Sequence, residues 1–289
     1  MVTAPDARQA TVATDLPLGG RWTSLRLAGR EWLWRRDLPE RASVGDGDGD
    51  GDGDGDGDIF VDAGGLEECI PTVRGVPDHG SAWSRPWFQR AGWDAVDCDE
   101  FTLRRRMDCT SDEVTATYEL TAAPGYRFVW AAHALVDLSV GARIVLPHGA
   151  PVRLYREAAE LVTTEWPADQ PHIAGSWPDP YGLRLDVLGP NDGTAVGASV
   201  LDRDSVDVID GPHRLTLTVS VDGDTPTSIA LWRNLGGYPP ASPYRSVGIE
   251  PMLGSVFDLA DAGPGDAATV PQSGLLRWEL RIRAERVDP

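Results

Sequence analysis

Apolar and polar residues alternate without interruption over two long segments, and this alternation restricts the possible folds more than any other feature of the chain. Residues 213–221 read HRLTLTVSV, with an apolar side chain at every second position from Leu215 to Val221. Residues 276–285 read LRWELRIRAE and repeat the pattern. Successive side chains of a strand point to opposite faces, so each segment predicts an antiparallel strand with one buried and one solvated face.

Further strand candidates follow at short intervals, separated by turn sequences rich in Gly and Pro. They are residues 22–27, 31–35, 101–107, 114–120, 127–138, 152–155, 183–188, 195–201 and 229–232. A sustained helical period is missing from the sequence, and only residues 255–260 suggest a helical turn or two. The length of 289 residues would suggest about two domains at roughly 150 residues each. Large all-β folds exceed that size, so we predict one all-β domain over residues 1–289, a large antiparallel β-sandwich.

Residues 45–58 are a strict Gly-Asp repeat of seven units. This composition offers no apolar area to offset the entropy cost of ordering, which predicts a flexible loop. Alternating carboxylates and carbonyls also suit a calcium ion, but the repeat lacks the spacing and the closing glutamate of a calcium loop. The flexible loop is the preferred interpretation, and cation binding stays open.

Charge and composition exclude several classes of function. Acidic residues outnumber basic ones by 45 to 26, giving a net charge of −19, and every basic residue is arginine. Without lysine there is no Schiff-base or phosphate-loop lysine. The negative charge disfavours nucleic acid and anionic membranes as partners. We therefore expect a small or neutral ligand.

The three cysteines, Cys69, Cys98 and Cys109, are odd in number and lack metal-ligand spacing, so we expect neither a disulfide framework nor a zinc site. The first fifteen residues do not resemble a signal peptide. The longest apolar run, residues 128–136, is too short for a membrane span. These features predict a soluble cytoplasmic protein without a metal site, and they leave its oligomeric state open.

Three residues stand out as candidates for acid–base chemistry. His79 lies in a loop, PDHGSAWSRPW, that also holds Arg85, Trp83 and a second tryptophan; imidazole, guanidinium and indole together suit a sugar. His133 lies within an apolar strand, and Glu250 follows a short apolar strand. Taken alone, each has a structural alternative: a turn histidine, a hydrogen-bonded core histidine, or a carboxylate in water at a strand end.

Several motifs, in this order, resemble the aldose 1-epimerase (galactose mutarotase-like) superfamily. They are LGGRWTSL at 18–25, GGLEECIPT at 64–72, the DHG…WSRPW loop at 78–87, the strand histidine His133, LWRNLGGY at 231–238 and GIEP at 248–251. No single motif is specific, but their number and order cover most of the chain. The Gly-Asp repeat departs from the family pattern, and no residue matches the substrate-orienting aspartate of the galactose enzymes.

The resemblance implies a β-supersandwich fold and a cofactor-independent isomerase that opens and recloses the hemiacetal ring of a sugar. It implies that His133 is the general acid at the ring oxygen and that Glu250 is the general base at the anomeric hydroxyl. His79 would help to bind and polarise the ring oxygen. Expected substrate contacts are Arg85, Trp83, Asn234 and Trp232.

Two alternatives stay open beside mutarotation of an aldose. The same fold could serve as a non-catalytic carbohydrate-binding or regulatory protein. A related 1-epimerase could act on a sugar phosphate, which would need arginines at the cleft. Arg74, Arg85, Arg233 and Arg245 flank the motifs, so the position of these four side chains distinguishes the two classes of substrate.

Overall fold

The computed structural model describes residues 9–36 and 63–287. Its twenty strands are β1 Thr11–Asp15, β2 Arg21–Leu27, β3 Arg30–Glu31, β4 Gly65–Cys69, β5 Phe88–Arg90, β6 Trp93–Asp97, β7 Phe101–Cys109, β8 Glu113–Ala122, β9 Arg127–Phe128, β10 Trp130–Leu135, β11 Arg143–Val145, β12 Pro151–Tyr155, β13 His172–Ser176, β14 Ala195–Leu201, β15 Ser205–Asp210, β16 His213–Val221, β17 Thr227–Tyr238, β18 Tyr244–Leu253, β19 Ala268–Thr269 and β20 Leu275–Arg286. Helical structure in these ranges consists of 3-10 turns at Arg156–Ala158, Pro180–Gly182 and Leu259–Asp261. The Gly-Asp repeat at 45–58 lies outside the described residues.

Two large antiparallel sheets form the body of the molecule. One has ten strands in the order β1-β2-β4-β10-β18-β17-β14-β12-β13, with β3 joined to β2. The other has eight strands in the order β11-β15-β16-β20-β8-β7-β6-β5, and β9 and β19 form a separate pair. The fold is therefore the all-β antiparallel sandwich that the alternation predicts.

The two strands with the clearest alternation are neighbours in the eight-stranded sheet. β16 pairs with β20 so that Leu217 lies opposite Ile282, and β20 pairs with β8 so that Trp278 lies opposite Tyr118. The apolar face of this sheet packs on the ten-stranded sheet, where the Trp130 ring lies 5.1 Å from Tyr118 and 5.3 Å from Trp278. Burial of these large aromatic side chains dominates the core between the sheets.

The centre of the ten-stranded sheet is buried on both faces, unlike the eight-stranded sheet. Every residue of β4 and β10 is buried. The inward side chains belong to the main core, while outward ones such as Cys69, Ala131 and Met252 form a second apolar cluster with Phe257. Loops thus cover the outer face of this sheet, and polar groups there are shielded from water.

Some strand predictions need correction. Residues 183–188 form no strand; only Val187 makes an isolated bridge, to Arg143. Residues 127–138 are divided at Val129, whose N–H donates to the Pro71 carbonyl at 2.7 Å instead of continuing the ladder. Glu250 does not follow a short strand but lies inside the ten-residue β18. None of the helical elements in the described ranges is long and apolar enough to span a bilayer.

Candidate active site

A row of titratable side chains crosses the middle of the ten-stranded sheet. Glu67 of β4 lies directly opposite His133 of β10. On the other side of β10, the register of the flanking pairs brings Glu250 of β18 opposite His133, and Ala230 of β17 follows Glu250. Opposed side chains of an antiparallel pair are neighbours on one face, so the three groups meet on the outer face.

His133 and Glu250 are in direct contact. The Nδ1 atom of His133 lies 3.0 Å from Oε1 of Glu250, and both side chains are buried, with 6% and 3% of their surface exposed. An imidazole and a carboxylate this close to each other can act together on one ligand, one as acid and the other as base. This is the contact on which acid–base chemistry would depend.

The ladder between β10 and β18 opens at the contact. In this described part of the sheet, pairs form at Ala131–Met252 and at Leu135–Gly248 but not at the three positions between them. Pro251 lies in the gap and has no backbone N–H to donate. The two strands therefore lack ladder pairs at the point where the side chains of His133 and Glu250 meet.

A glycine makes room for the Glu250 carboxylate. Gly248 lies two residues before Glu250 on the same face, and a Cβ built there would overlap Oε1 of Glu250 and lie 3.1 Å from Cβ of Trp232. Any larger residue would have to displace the carboxylate. In the Gly-Ile-Glu-Pro segment, Gly248 therefore provides the space for the Glu250 carboxylate, and Pro251 contributes to the opening of the ladder between β10 and β18.

His79 approaches the pair from the loop between β4 and β5. Its ring lies edge-on to the ring of His133, with 5.2 Å between the centroids. Its backbone has a φ of 59°, a left-handed conformation that costs a non-glycine residue free energy and is found at functional sites. The following Gly80 packs against the backbone of Ile70, where a Cβ would overlap. The His-Gly pair thus fits the close approach of this loop to the end of β4.

Asp78 orients His79. Its Oδ1 lies 2.9 Å from Nδ1 of His79, and its backbone carbonyl accepts a 2.9 Å hydrogen bond from Nε1 of Trp83. Burial raises the pKa of Asp78, but the hydrogen bond and charge of His79 and the charge of Arg74 outweigh it and lower the pKa below its ordinary value. Asp78 is therefore held as the carboxylate that fixes the imidazole of His79.

A cavity of about 350 Å³ opens above these groups. Its polar lining comprises Arg74, Asp78, His79, His133, Glu157 and Glu250, and its apolar lining comprises Val73, Gly75, Trp232, Tyr238, Tyr244 and Phe257. The volume and the mixture of aromatic faces with a few convergent polar groups are typical of a small-molecule site.

Aromatic residues form much of the cavity wall. The ring of Trp232 meets Tyr238 edge-on at 5.8 Å, and Tyr244 stacks on Trp34 at 5.5 Å. Phe257 stacks on Tyr155 at 3.9 Å. Flat aromatic rings beside a few polar groups suit a ligand with alternating C–H and hydroxyl surfaces.

Arg74 is the arginine that lines the cavity, and it is paired. Its guanidinium binds the carboxylate of Glu157 and lies 5.2 Å from the ring of Phe257. Gly197 provides the space, since a Cβ there would lie 3.2 Å from both Arg74 Nη2 and Glu157 Oε2. The pair therefore supplies hydrogen-bonding groups to the wall but little uncompensated positive charge.

Four of the seven residues predicted from the sequence line the cavity. They are His79, His133, Glu250 and Trp232. The structure brings the three proposed acid–base groups together from a loop and two strands. Their chemical roles stay predictions, because position alone does not establish catalysis.

The other three predicted substrate contacts do not line this cavity. Arg85 lies at the surface, 3.1 Å from Asp99, and Trp83 is buried beneath the loop, where its N–H is bonded to the Asp78 carbonyl. The Asn234 side chain is buried in the turn at the end of β17, accepting from the N–H groups of Gly237 and Tyr238. All three are thus engaged in local structure, although their motifs lie next to the site in sequence.

The sequence interpretation did not assign Asp78, Glu157, Tyr244 or Glu67 to the site. Asp78 was visible as the residue before His79, and its carboxylate was a usable signal. Glu67 and Glu68 are neighbours on β4, so their side chains point to opposite faces of the sheet. Glu68 points inward and binds Arg105 at 2.7 Å.

Cys69 lies beside the row on the same outer face as Glu67. It is a free, fully buried cysteine. Burial raises the pKa of the Cys69 thiol well above its ordinary value, and the nearby carboxylates of Glu250 and Glu67 raise the pKa further. The thiol group of Cys69 is therefore protonated at neutral pH.

Comparison with solved structures places this arrangement in a known class of fold, the β-supersandwich of the galactose mutarotase-like proteins. A galactose mutarotase-like protein from Lactobacillus casei is 15% identical with a TM-score of 0.58, and the match covers 99% of this chain and 100% of that chain. A second, from Clostridium acetobutylicum, is 10% identical with a TM-score of 0.60, covering 96% and 93%. The Slr1438 protein from Synechocystis is 12% identical with a TM-score of 0.66, covering 99% and 100%.

These likenesses show the fold. No protein-family model matches the chain. No curated protein matches it either. The function therefore has to be argued from the site itself.

Proposed function

We propose that the protein interconverts the anomers of a neutral aldose by acid–base opening and reclosure of the hemiacetal ring. The observation that carries the proposal is the contact between His133 and Glu250 on the floor of a sugar-sized cavity. Mutarotation needs one base and one acid that act together, and these two groups are of the required kinds.

In the proposed first step Glu250 takes the proton from the anomeric hydroxyl while His133 gives a proton to the ring oxygen. The C1–O5 bond breaks and the sugar becomes an open-chain aldehyde. The imidazole of His79, held in position by Asp78, donates a hydrogen bond to the ring oxygen and helps to bind the sugar. Glu250 is then protonated and His133 has lost its proton.

The second step reverses the first after rotation about the C1–C2 bond. His133 takes back the proton from the C5 hydroxyl, and Glu250 returns its proton to the carbonyl oxygen as the C1–O5 bond forms again. Both groups end in their initial states, and no electron or group is transferred to the protein. One carboxylate and one imidazole therefore suffice for the complete cycle.

Charge favours a neutral sugar over a sugar phosphate. Of the four arginines near the motifs, Arg74 alone lines the cavity, and Glu157 neutralises it. Arg85 is paired with Asp99, while Arg233 and Arg245 bond to Thr194 and Asn191. A phosphate group would meet the carboxylates of Asp78, Glu157 and Glu250 without a matching set of guanidinium groups.

Anomer exchange can be measured directly by NMR of the anomeric protons on freshly dissolved single anomers. Glucose, galactose, a pentose and a hexose 6-phosphate would be compared with wild-type protein and with Glu250→Gln. We expect acceleration on a neutral sugar that is lost in Glu250→Gln. Acceleration confined to the hexose phosphate would contradict the neutral substrate, and equal rates in both proteins would remove Glu250 from the mechanism.

The aromatic walls favour a second candidate function, carbohydrate binding without catalysis. The same spectra separate the two functions. Line broadening or shifts of the sugar signals with no change in the rate of anomer exchange would indicate a binding protein of the same fold.

A further inference from the structure

Cys69 and His133 lie diagonally across two paired strands. Cys69 of β4 is opposite Ala131 of β10, and His133 is two residues further along β10 on the same face. Diagonal neighbours of this kind are within reach of longer side chains. His79 enters from the loop between β4 and β5. His79 and His133 line the cavity, and the buried Cys69 lies next to them, so three potential metal ligands converge there.

The ligand atoms of Cys69, His79 and His133 all lie within 4.8 Å of one another. Ligand atoms around a tetrahedral zinc ion are roughly 3.3–3.7 Å apart, given zinc–nitrogen and zinc–sulfur distances of about 2.0–2.3 Å. Closing the difference needs movements of about 1 Å, which small side-chain rotations provide. One thiolate with two imidazoles is a ligand set that zinc accepts.

The surroundings of the three ligands also resemble those of a metal site. Asp78 holds Nδ1 of His79 at 2.9 Å, which leaves Nε2 of that ring as the nitrogen available to a metal. A carboxylate behind a metal-binding histidine fixes its orientation and strengthens the ligand. Glu67 and Glu250 are buried carboxyl groups beside the cluster, a setting that favours a cation over an anion at this position.

Ligand spacing along the chain gives no sign of this arrangement. The three residues come from a strand, a loop and a second strand, and they are brought together by sheet register rather than by a short motif. The absence of a cysteine pair with metal-ligand spacing therefore does not exclude a site.

We propose that Cys69, His79 and His133 bind one zinc ion at the floor of the cavity, with its fourth position open to the cavity. The thiol of Cys69 releases its proton to solvent when the metal binds, and the two histidines bind as neutral imidazoles. Zinc then occupies His133, so it blocks proton transfer at the ring oxygen. This inhibitory consequence rests on the proposed mutarotase function, whereas the binding of zinc does not.

Cobalt is a suitable probe because its bond to a thiolate gives a charge-transfer absorption that zinc lacks. The titration uses Co²⁺ alone with the protein in a Cys98→Ser/Cys109→Ser background, which leaves Cys69 as the single thiol. We expect one cobalt ion per chain with a thiolate charge-transfer band, and displacement of that cobalt by one equivalent of Zn²⁺. A protein that shows no such band would overturn the proposal.

Two variants identify the ligands in the same background. Cys69→Ser should abolish the charge-transfer band and weaken zinc binding at least about a hundredfold, since even the outer partners of metal ligands contribute 10–100-fold. His148→Ala removes an exposed histidine and should change neither quantity. Circular dichroism of each variant verifies folding. A band that persists in Cys69→Ser would overturn the assignment of the ligands.

Inhibition of anomer exchange tests the functional consequence separately. Micromolar Zn²⁺ should suppress the exchange. When the inhibition of each protein is expressed relative to its own uninhibited rate, the Zn²⁺ concentration for half-inhibition should be at least tenfold higher for Cys69→Ser than for wild type. If no sugar is turned over, the cobalt titration still decides the metal site. If turnover is present but neither cobalt nor zinc binds, the metal proposal alone fails.

Discussion

The outer faces of the two large sheets carry rows of charged side chains with the same construction but different surroundings. On the eight-stranded sheet, Arg104, Glu119 and Arg277 lie opposite one another on β7, β8 and β20. The two arginines are about half exposed, at 45% and 54%, and both bind Glu119. The arginines bring solvent to this row, although Glu119 beneath them is itself buried, with 8% of its side chain exposed.

On the ten-stranded sheet, Glu67, His133 and Glu250 lie opposite one another in the same way, but loops and aromatic residues cover them. All three are buried, and the cavity opens only at His133 and Glu250. The comparison shows that opposed charges across strands do not by themselves make a site. Exclusion of water and space for a ligand distinguish the second row, because electrostatic interactions strengthen there.

Substitution of glutamate by glutamine in each row gives the largest expected contrast. Glu250→Gln and His133→Ala should each slow anomer exchange by about 10²–10⁴-fold, the typical contribution of one positioned acid or base. Glu119→Gln makes the same chemical change in the exposed row and should leave the rate unchanged. Exchange is measured by NMR; normal turnover in a folded Glu250→Gln protein would contradict the proposed mechanism.

A third glutamate, on the inward face, tests stability rather than activity. Glu68 is completely buried and binds Arg105, Tyr118 and Trp130. Glu68→Gln should lower the free energy of unfolding by about 3 kcal/mol, because it removes the nearer counter-charge of the buried Arg105 guanidinium and leaves Asp94, at 3.6 Å, as its ion-pair partner.

The matched control for Glu68→Gln is again Glu119→Gln. Glu119 is buried, but its two arginine partners stay solvated when the pairs are lost, so the cost should be lower, about 1 kcal/mol. Urea denaturation measures both values. Equal urea midpoints for the two variants would contradict the larger contribution to stability that is predicted for the Glu68–Arg105 pair.

Two glycines beside the buried row provide a finer test. Gly248→Ala should reduce turnover by up to about a hundredfold, since a displacement of about 1 Å at a reacting group can cost that much, while the fold is kept. Gly197→Ala presses on the ends of the flexible Arg74 and Glu157 side chains and, at 3.3 Å, on the edge of the Phe257 ring, without overlapping Glu250, and should have a smaller effect. Turnover of the two variants is compared at saturating sugar; similar losses would place the constraint on the cavity as a whole.

The smallest expected effect is the acid sensitivity of the exposed row. Burial raises the pKa of Glu119, but its hydrogen bonds from Arg277 and Arg104 outweigh it and lower the pKa. The stabilisation is therefore fully present above the unfolded pKa, about 4.3, and is lost as the pH falls through the lower folded pKa. Unfolding by urea at pH 7 and pH 3 should show a shallower loss for Glu119→Gln than for wild type, and parallel losses would contradict this assignment.

Prediction from the sequence succeeded where one face of a strand is wet. β16 and β20 alternate strictly, and the structure places them as predicted. β4 escaped prediction because both of its faces are buried, so the segment GLEEC shows no alternation. Residues 183–188 resemble a strand in composition but make only one bridge, to β11.

The site was predicted in part for a similar reason. His79, His133 and Glu250 were recognisable as polar residues in unusual local surroundings. Strand register places Glu67 opposite His133, and the path of a loop brings Arg85 to Asp99. Neither of these two contacts can be inferred from the residues that are adjacent in the sequence. Non-local pairing is the information that a single sequence does not display.

The opened ladder between β10 and β18 also makes activity a reporter of folding fidelity. A slip of one residue between these strands would turn Glu250 into the core and expose Ile249 or Pro251 to the cavity. Such a molecule could keep most of its secondary structure and still lack the acid–base pair. The proposed anomer exchange would therefore report the fraction of molecules in a preparation that have the correct register between β10 and β18. Spectroscopic measures of strand content do not report this fraction.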